Sequence, residues 1–359
     1  MAYTTIDNPE LYFQAKLFTG NGSVASSTQS ITFDGSEDMQ PDWVWFKKRD
    51  TAEDHELFDS VRGVQKAIDS NNTNAEATGR GLTSFNSDGF TVGNGSSAGN
   101  QGPTNEINKT FVTWNWKAGT SFTNEASSTG IGSIDSAGSV NNDAGISICT
   151  HTGTGSTATI KHGLSTAPKM IITKKRSATG GWQVGHESIG WGNGVYLNDT
   201  DASTGDAGAW NSTAPTSSIF TVGNSSFTNQ SSATYVSYIF AEKQGYSKFS
   251  SYTGNGNADG SFIYTGQKSA FIIVKNTSSS TNWEMFDNKR VGYNESNWHL
   301  KPNSTDAEDV GTVRLDILSN GFKIRTTGSN LNTSGNTYIY MAFAESPFTN
   351  SNGIPNNAR

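Results

Sequence analysis

The chain has 359 residues, of which 33% are hydrophobic, 11% aromatic and 16% charged, and its formal net charge is -7 at pH 7. This length exceeds the roughly 250 residues at which single hydrophobic cores stop growing, so the sequence predicts two or three domains. The acidic balance disfavours nucleic-acid binding, and no apolar run reaches the roughly 18 residues of a membrane span, so we expect neither nucleic acid nor membrane insertion.

The first residues carry no basic or apolar segment typical of a secretory signal peptide, so we expect a protein without an export signal. Residues 1–15 are predicted to form an N-terminal arm. Four apolar side chains of this arm have no hairpin partner of their own, namely Ile6, Leu11, Tyr12 and Phe13. An edge strand of the unit that follows is the alternative interpretation.

Three copies of one unit follow along the chain. The motif Thr-Gly-x-Gly begins at Thr19, Thr152 and Thr253, and each copy is followed by an apolar run that ends in lysine, at Lys47, Lys174 and Lys275. The spacing from threonine to lysine is 28, 22 and 22 residues, so the second and third copies keep the same register. The basic groups that end the first two runs, Lys47-Lys48-Arg49 and Lys174-Lys175-Arg176, are interpreted as protection of an exposed sheet end or edge. Each unit closes on an alternating aromatic segment, at 111–117, 235–242 and 338–345.

The alternation of large apolar and small polar residues predicts an all-β fold. Units of about 100 residues fit three tandem, related β-sandwich domains of the jelly-roll kind better than propeller blades, which need only about 40 to 50 residues. We place these domains at 16–119, 145–246 and 247–347. The Ser/Gly/Asn-rich segment 120–144 is predicted to be a linker or a long surface excursion, and 348–359 a C-terminal tail.

No motif indicates a catalytic site, a cofactor or a metal centre. Acidic residues such as Glu187 and Asp287 recur at corresponding places in the units, which favours a structural role over a glycosidase pair. The series Asn255, Asn257 and Asp259 matches the first half of a calcium loop, but the position of the bidentate glutamate is a glycine. We therefore predict an ordinary hairpin turn and no metal.

Aromatic residues in Gly/Asn/Ser-rich surroundings are the candidates for sugar contact, because sugar rings stack on aromatic faces while their hydroxyls bond to amides and carboxylates. These candidates are Trp191, Trp210, Tyr293 and Trp298. The alternative is that they cap the ends of the sandwiches.

Several blocks resemble a repeated domain family of tailed-bacteriophage virion proteins, mostly from marine phages, whose members are described as tail, fibre or capsid-knob components. The blocks are the start Met1–Asp7, Leu57–Gly63, Leu82–Phe90 and Tyr338–Glu345. The resemblance implies a virion protein that is assembled in the host cytoplasm, forms a homo-oligomer and contacts other virion proteins. On this basis Ile6, Leu11, Tyr12 and Phe13 become candidates for docking on the virion.

The sequence thus predicts a non-enzymatic structural protein of a phage virion, exposed on the tail or capsid, with host-surface polysaccharide as a further partner. A capsid decoration or cement protein with a purely architectural role is the first alternative. A depolymerase that cleaves surface polysaccharide is the second.

Overall fold

The computed structural model describes residues 2–22, 28–93, 102–290, 294, 298–311 and 313–355. Regular structure in these residues is almost entirely β-strand, with short helices of about one turn. The predicted all-β class is therefore confirmed, whereas the boundaries of three tandem domains remain a prediction.

The strands follow the three sequence units. The first unit contains β1 (Phe13–Thr19), β2 (Gln29–Ile31), β3 (Trp43–Lys48), β4 (Glu56–Asp59), β5 (Lys66–Asp69), β6 (Ala77–Thr78), β7 (Leu82–Phe85), β8 (Phe90–Val92), α1 (Gly102–Asn105) and β9 (Thr110–Trp116). Next come β10 (Thr120–Asn124), α2 (Ala126–Thr129), β11 (Ser136–Asn141), β12 (Ile146–Thr152), β13 (Ala158–Lys161), β14 (Met170–Lys175), β15 (Trp182–His186), β16 (Asn193–Tyr196), β17 (Thr204–Gly205), α3 (Ala207–Trp210), β18 (Ile219–Val222) and β19 (Thr234–Phe240). The third unit contains β20 (Ser247–Thr253), β21 (Phe262–Tyr264), β22 (Gln267–Asn276), β23 (Glu284–Asp287), β24 (Leu315–Leu318), β25 (Gly321–Ile324), α4 (Ser329–Asn332) and β26 (Thr337–Pro347). Two 3₁₀ turns, Pro9–Leu11 and Glu187–Ile189, complete the regular structure of the described residues.

Each unit contributes one large antiparallel sheet and one small outer sheet. The large sheets have the strand orders β1-β9-β3-β4-β5-β6, β10-β11-β12-β19-β14-β15-β16-β17 and β20-β26-β22-β23. The small sheets have the orders β2-β8-β7, β13-β18 and β21-β25-β24. In every unit the strand that ends at the threonine of the Thr-Gly-x-Gly motif pairs with the closing aromatic strand, as β1 with β9, β12 with β19 and β20 with β26. The repeated sequence markers therefore correspond to repeated strand pairing.

The segment 120–144, predicted to be a linker or surface excursion, is part of the second large sheet. β10 pairs with β11, and β11 pairs with β12 over the register from Ser136 opposite His151 to Asn141 opposite Ile146. The prediction of a flexible linker is therefore wrong. The small residues of this segment allow β11 to lie close to its neighbouring strands. A Cβ added at Gly138 would lie 1.9 Å from the carbonyl oxygen of Ile148.

The predicted N-terminal arm packs on its own chain. Ile6 and Phe13 are buried in the central core, and Phe13 begins β1 opposite Trp116. Tyr12 packs edge-on against Tyr246, with 5.9 Å between ring centroids.

Leu11 of the same arm is half-buried. The four apolar side chains proposed for docking on the virion are therefore largely used within the chain. Only the end of this segment, from Phe13 onward, belongs to the edge strand β1, and the residues before it form turns.

One central core lies between the three large sheets and contains side chains from all three units. The indole of Trp43 stacks on the Tyr238 ring at 4.3 Å, and Phe13 stacks on Phe343 at 5.7 Å. Three further cores fill the space between each large sheet and its small outer sheet. Every unit is thus a two-layer sandwich that also buries its inner face against the other two, which joins the units into one body.

The three lysines close the contacts between units into a ring. Lys174 donates to the Thr73 carbonyl oxygen of the first unit, Lys275 to Thr200 of the second, and Lys47 to Thr305 of the third, at 3.3, 3.0 and 3.0 Å. All three side chains are buried, and burial lowers the pKa of each ammonium to about 8. They hold neighbouring units together and do not protect exposed sheet ends, contrary to the sequence-based interpretation.

Candidate functional site

Two of the predicted sugar-contact residues lie inside the second sandwich. Trp191 is 7% exposed and Trp210 is fully buried, and their rings meet edge to face at 5.8 Å. Both indoles pack against Gly185, where a side chain would clash, because a Cβ there would lie 2.7 Å from the Trp191 ring. Since protein covers both rings, neither indole offers a face to a sugar. Both rings belong to the core between the large and the small sheet of the second unit.

Trp298 is half-buried, and the guanidinium of Arg49 from the first unit lies 5.5 Å from its ring centroid. One face of this indole is therefore occupied by a cation–π contact between units. Tyr293, the fourth predicted candidate, lies outside the described residues.

The residues of the incomplete calcium loop form a hydrogen-bonded turn. Asn255 Oδ1 accepts from the backbone N–H of Asn257 at 2.9 Å, and Asn257 Oδ1 accepts from that of Asp259 at 2.9 Å. The Asp259 carboxylate forms an ion pair with Lys323 at 2.5 Å. Within the described ranges, no group of three or more His, Cys, Asp or Glu side chains is arranged to hold a metal ion.

The two acidic residues considered for catalysis are in different surroundings. Asp287 is fully buried, accepts from Arg290 Nε at 2.6 Å and accepts from Trp114 Nε1 of the first unit at 2.9 Å. Glu187 is exposed and forms an ion pair with Lys169 at 2.5 Å. The Asp287 carboxylate therefore neutralises a buried guanidinium and links two units.

A corresponding buried cluster joins the first and second units. The Asp59 carboxylate binds Arg62 and accepts from the Tyr238 hydroxyl at 2.8 Å, while Glu76 bridges Arg62 and Arg176. Neighbouring carboxylates raise the pKa of Arg62 above its usual value despite its burial. Both acidic clusters are structural ion-pair networks between units.

A surface depression with a volume of about 420 Å³ lies beside the hairpin of β10 and β11. Its charged lining is held by protein partners. Arg176 pairs with Glu76 at 2.8 Å, and Asp135 accepts from the backbone N–H of Ala126 at 2.8 Å. The imidazole of His151 is buried, which lowers its pKa to about 4. This arrangement is that of a structural surface and not of a catalytic pair.

The strongest candidate for ligand contact is on the outer sheet of the third unit. On β21, Phe262 is 47% exposed and Tyr264 is 52% exposed, whereas Ile263 between them is buried. Alternate residues of a strand point to the same face, so both aromatic side chains point outward, about 7 Å apart along the strand. β21 is the outermost strand of its sheet. With Tyr3 from the N-terminal segment, these residues form what we call the aromatic face.

Polar contacts fix the edges of the aromatic face. The Tyr3 hydroxyl lies 3.2 Å from that of Tyr264 and donates to the Gly266 carbonyl oxygen at 2.8 Å. At the other end, Phe262 is paired across the strands with Lys323, the residue that forms the ion pair with Asp259. Two exposed rings therefore lie between a phenolic hydroxyl and a carboxylate–ammonium pair.

A family model for a domain of unknown function, DUF7483, matches residues 8–347. The chain belongs to this family. No curated protein matches it. The match covers all three units together with the segment of β10 and β11, so the family model treats as one domain what the sequence analysis divided into three. The family description assigns no activity.

No helix in the described residues is both long and apolar enough to span a membrane.

The sequence analysis missed Phe262 and Tyr264 because the series Phe-Ile-Tyr reads as an ordinary buried strand segment. One signal was available, since the aromatic residues at 262 and 264 differ from the polar or charged residues that flank the corresponding isoleucines of the other units. Recognising that difference requires the strand register, which only the structure provides.

Proposed function

We propose that this chain is a non-enzymatic structural component of a bacteriophage virion, exposed on the tail or capsid surface, where it contacts host-surface glycans. Its partners in this role are other virion proteins and further copies of the same chain. The proposal keeps the expectation that followed from the family resemblance, and it adds a surface on which a glycan contact is physically reasonable.

The observation that carries the proposal is the central core shared by all three units. A particle component must withstand proteases and mechanical load, and cooperative units resist local opening better than separate ones. Aromatic packing between Trp43 and Tyr238, the ring of lysine contacts and two buried ion-pair networks all bind one unit to another. The aromatic face supports the glycan part of the proposal.

The depolymerase alternative receives less support from the surroundings of its acids. The Asp287 carboxylate is buried and bonded to Arg290 and Trp114, so it is not placed to meet a polysaccharide. Release of reducing ends from host envelope material by the purified protein would nevertheless establish that alternative.

Gold labelling of intact particles with an antibody against the purified chain tests the proposal. We expect gold on the tail or on the capsid surface of the phage that encodes this chain. Label over the head together with particles that become fragile without the protein would identify the architectural decoration role. Particles without label, from a preparation in which the chain is expressed, would overturn the virion assignment.

A further inference from the structure

The aromatic face is specific to the third unit, although the strand that carries it exists in all three. Ile263 of β21 pairs with Phe322, just as Ile31 of β2 pairs with Phe90 and Ile160 of β13 pairs with Phe220. These three isoleucines are therefore corresponding positions in the outer sheets.

The residues on either side of the three isoleucines can now be compared. The first unit has Ser30 and Thr32, the second has Thr159 and Lys161, and the third has Phe262 and Tyr264. Since the same strand forms with small polar or charged residues in two units, the fold does not require aromatic side chains there. Exposing two large rings side by side costs solvation free energy without a packing gain, which points to contact with a ligand.

The surroundings of the two rings indicate the chemistry of that ligand. The Lys323 ammonium and the Asp259 carboxylate pair with each other, so this end of the face offers both a donor and an acceptor without net charge. At the other end the Tyr3 hydroxyl donates its proton to Gly266 and retains an acceptor lone pair, while the Tyr264 hydroxyl can donate or accept a hydrogen bond. Aromatic faces flanked by balanced donors and acceptors match a sugar ring, which has apolar C–H faces and hydroxyls around its edge.

The size of the face argues against a large protein partner. A stable protein interface needs roughly 800 Å² on each side, whereas the aromatic face consists of two neighbouring exposed rings and one half-buried tyrosine. The other large exposed apolar side chains among the described residues are Val64, Ile107, Val310 and Ile354, which belong to separate segments.

We propose that the aromatic face formed by Tyr3, Phe262 and Tyr264 binds a neutral saccharide, with the sugar rings stacked on Phe262 and Tyr264. The inference rests on the proposed function, because it names the ligand class and the place of the glycan contact. The sugar hydroxyls are bound by the Asp259–Lys323 pair and by the tyrosine hydroxyls. The corresponding faces of the first and second units do not bind it.

Affinity electrophoresis of the full chain tests this site, with laminarin, mannan and dextran as neutral probes and alginate as an anionic probe. The decisive variant is Phe262→Ser/Tyr264→Thr, which installs the residues of the first unit and therefore preserves the strand. The matched control is Ser30→Ala/Thr32→Ala at the corresponding positions of the first unit. Denaturation curves of all three proteins verify that they are equally folded.

We expect at least one neutral probe to retard the wild type and the control equally, at low and high salt. Two lost stacking contacts should weaken binding by about tenfold or more in the double variant. Absence of retardation by every neutral probe, or retardation that survives in the double variant, would overturn the site. Binding to alginate alone, lost at high salt, would also overturn it.

Sedimentation of the same proteins distinguishes a contact between copies of the chain. Self-association that the double variant loses, without saccharide binding, would overturn the saccharide assignment. Failure of this inference is separable from failure of the proposed function, because gold labelling reports the location of the chain whether or not a sugar binds. If particles are labelled but the chain binds no saccharide, the proposed virion role stands and the saccharide site is rejected.

Discussion

Lys174 of the second unit and Thr73 of the first are joined by a hydrogen bond of 3.3 Å from the buried ammonium to the backbone carbonyl oxygen. The same Thr73 carbonyl accepts the backbone N–H of Gly180 at 2.9 Å. The corresponding pairs, Lys275 with Thr200 and Lys47 with Thr305, complete the ring of contacts. A lysine at the end of each apolar run is therefore an element of the contact between units.

Replacing one of these lysines should destabilise the whole chain. Lys275 donates to the carbonyl oxygens of Thr200, Asn276 and Thr281 at 2.9 to 3.0 Å, and Lys275→Met removes these bonds inside the protein. We expect a loss of about 2 kcal/mol in the free energy of unfolding, measured by chemical denaturation at pH 7.

The control for this variant is Lys248→Met, which removes a partly exposed ion pair with Glu242 and should cost less than about 1 kcal/mol.

The pKa of Lys275 is lowered from 10.5 to about 8 by burial, so the folded state releases this proton at lower pH than the unfolded state. The stability of the wild type relative to Lys275→Met should therefore increase as the pH rises from 8 towards 10.5. Equal stability of the two variants would contradict the role of Lys275.

Glu56 should make the protein less stable as the pH rises. Burial raises the pKa of its carboxyl from 4.5 to about 8, and its nearest cation is Arg80 at 3.3 Å. The folded state holds a proton that the unfolded state has released, so the stability from this group decreases between pH 4.5 and 8.

The second unit has Gln183 at the position that corresponds to Glu56. Glu56 of β4 lies opposite Asp69 of β5, and Gln183 of β15 lies opposite Tyr196 of β16. We expect Glu56→Gln to equal the wild type near pH 4.5 and to exceed it by about 4 kcal/mol at pH 8. Thermal unfolding across this pH range measures the difference. A constant difference at all pH values would show that Glu56 does not titrate in this way.

Breaking the buried ion pair of the third unit should be costly. Asp287→Asn leaves the Arg290 guanidinium without a full countercharge from this residue and weakens the bond from Trp114. We expect a loss of about 3 to 5 kcal/mol in the free energy of unfolding.

Glu187→Gln is the matched control, because its ion pair with Lys169 is exposed and should contribute less than about 1 kcal/mol. Chemical denaturation of both variants gives the comparison. If Asp287→Asn were as stable as the control, the buried network would not contribute to folding. The two variants also differ as tests of depolymerase activity. A loss of activity in Asp287→Asn can arise from unfolding alone, whereas Glu187→Gln is expected to stay folded.

The glycine of the Thr-Gly-x-Gly motif should not tolerate a side chain. In the second unit a Cβ on Gly153 would lie 2.3 Å from the Gln230 carbonyl oxygen. The two segments of the chain are held this close by a hydrogen bond of 2.8 Å from the backbone N–H of Thr154 to Asn229 Oδ1.

We expect Gly153→Ala to lower the unfolding free energy by about 1 to 3 kcal/mol. Gly205→Ala is the control, because no heavy atom lies within 4 Å of a Cβ added there. Differential scanning calorimetry of both variants measures the effect. Equal melting temperatures would mean that the turn can shift at no cost.

Strand content and the positions of the repeated markers were predictable from local pattern. The alternation in 338–345 correctly predicts a strand, but it does not reveal that residues 338–344 are all buried, because one face of the strand packs in the central core and the other in the core of the third unit. Segment 120–144 shows the limit of this approach. Its strands contain few large apolar residues, and β11 is held mainly by backbone pairing with β12.

The residues considered for ligand contact show a second limit. Trp191 and Trp210 occur in a polar stretch, and they are nevertheless buried because the chain folds them against the outer core of the second unit. Phe262 and Tyr264 occur in a strand, and they are nevertheless exposed because Ile263 between them faces the core of the third unit and they point to the opposite face. Local composition does not specify which face of a strand is covered by another sheet.

The sequence by itself determined the all-β class and the repeated turn, lysine and aromatic markers, since these depend on local alternation and on spacing along the chain. The tertiary structure alone decided that the lysines join neighbouring units, that Phe13 belongs to a core shared by all three units, and that the aromatic face belongs only to the third. These features depend on contacts between residues up to hundreds of positions apart. Burial, pKa and exposure are properties of those contacts and not of the local sequence.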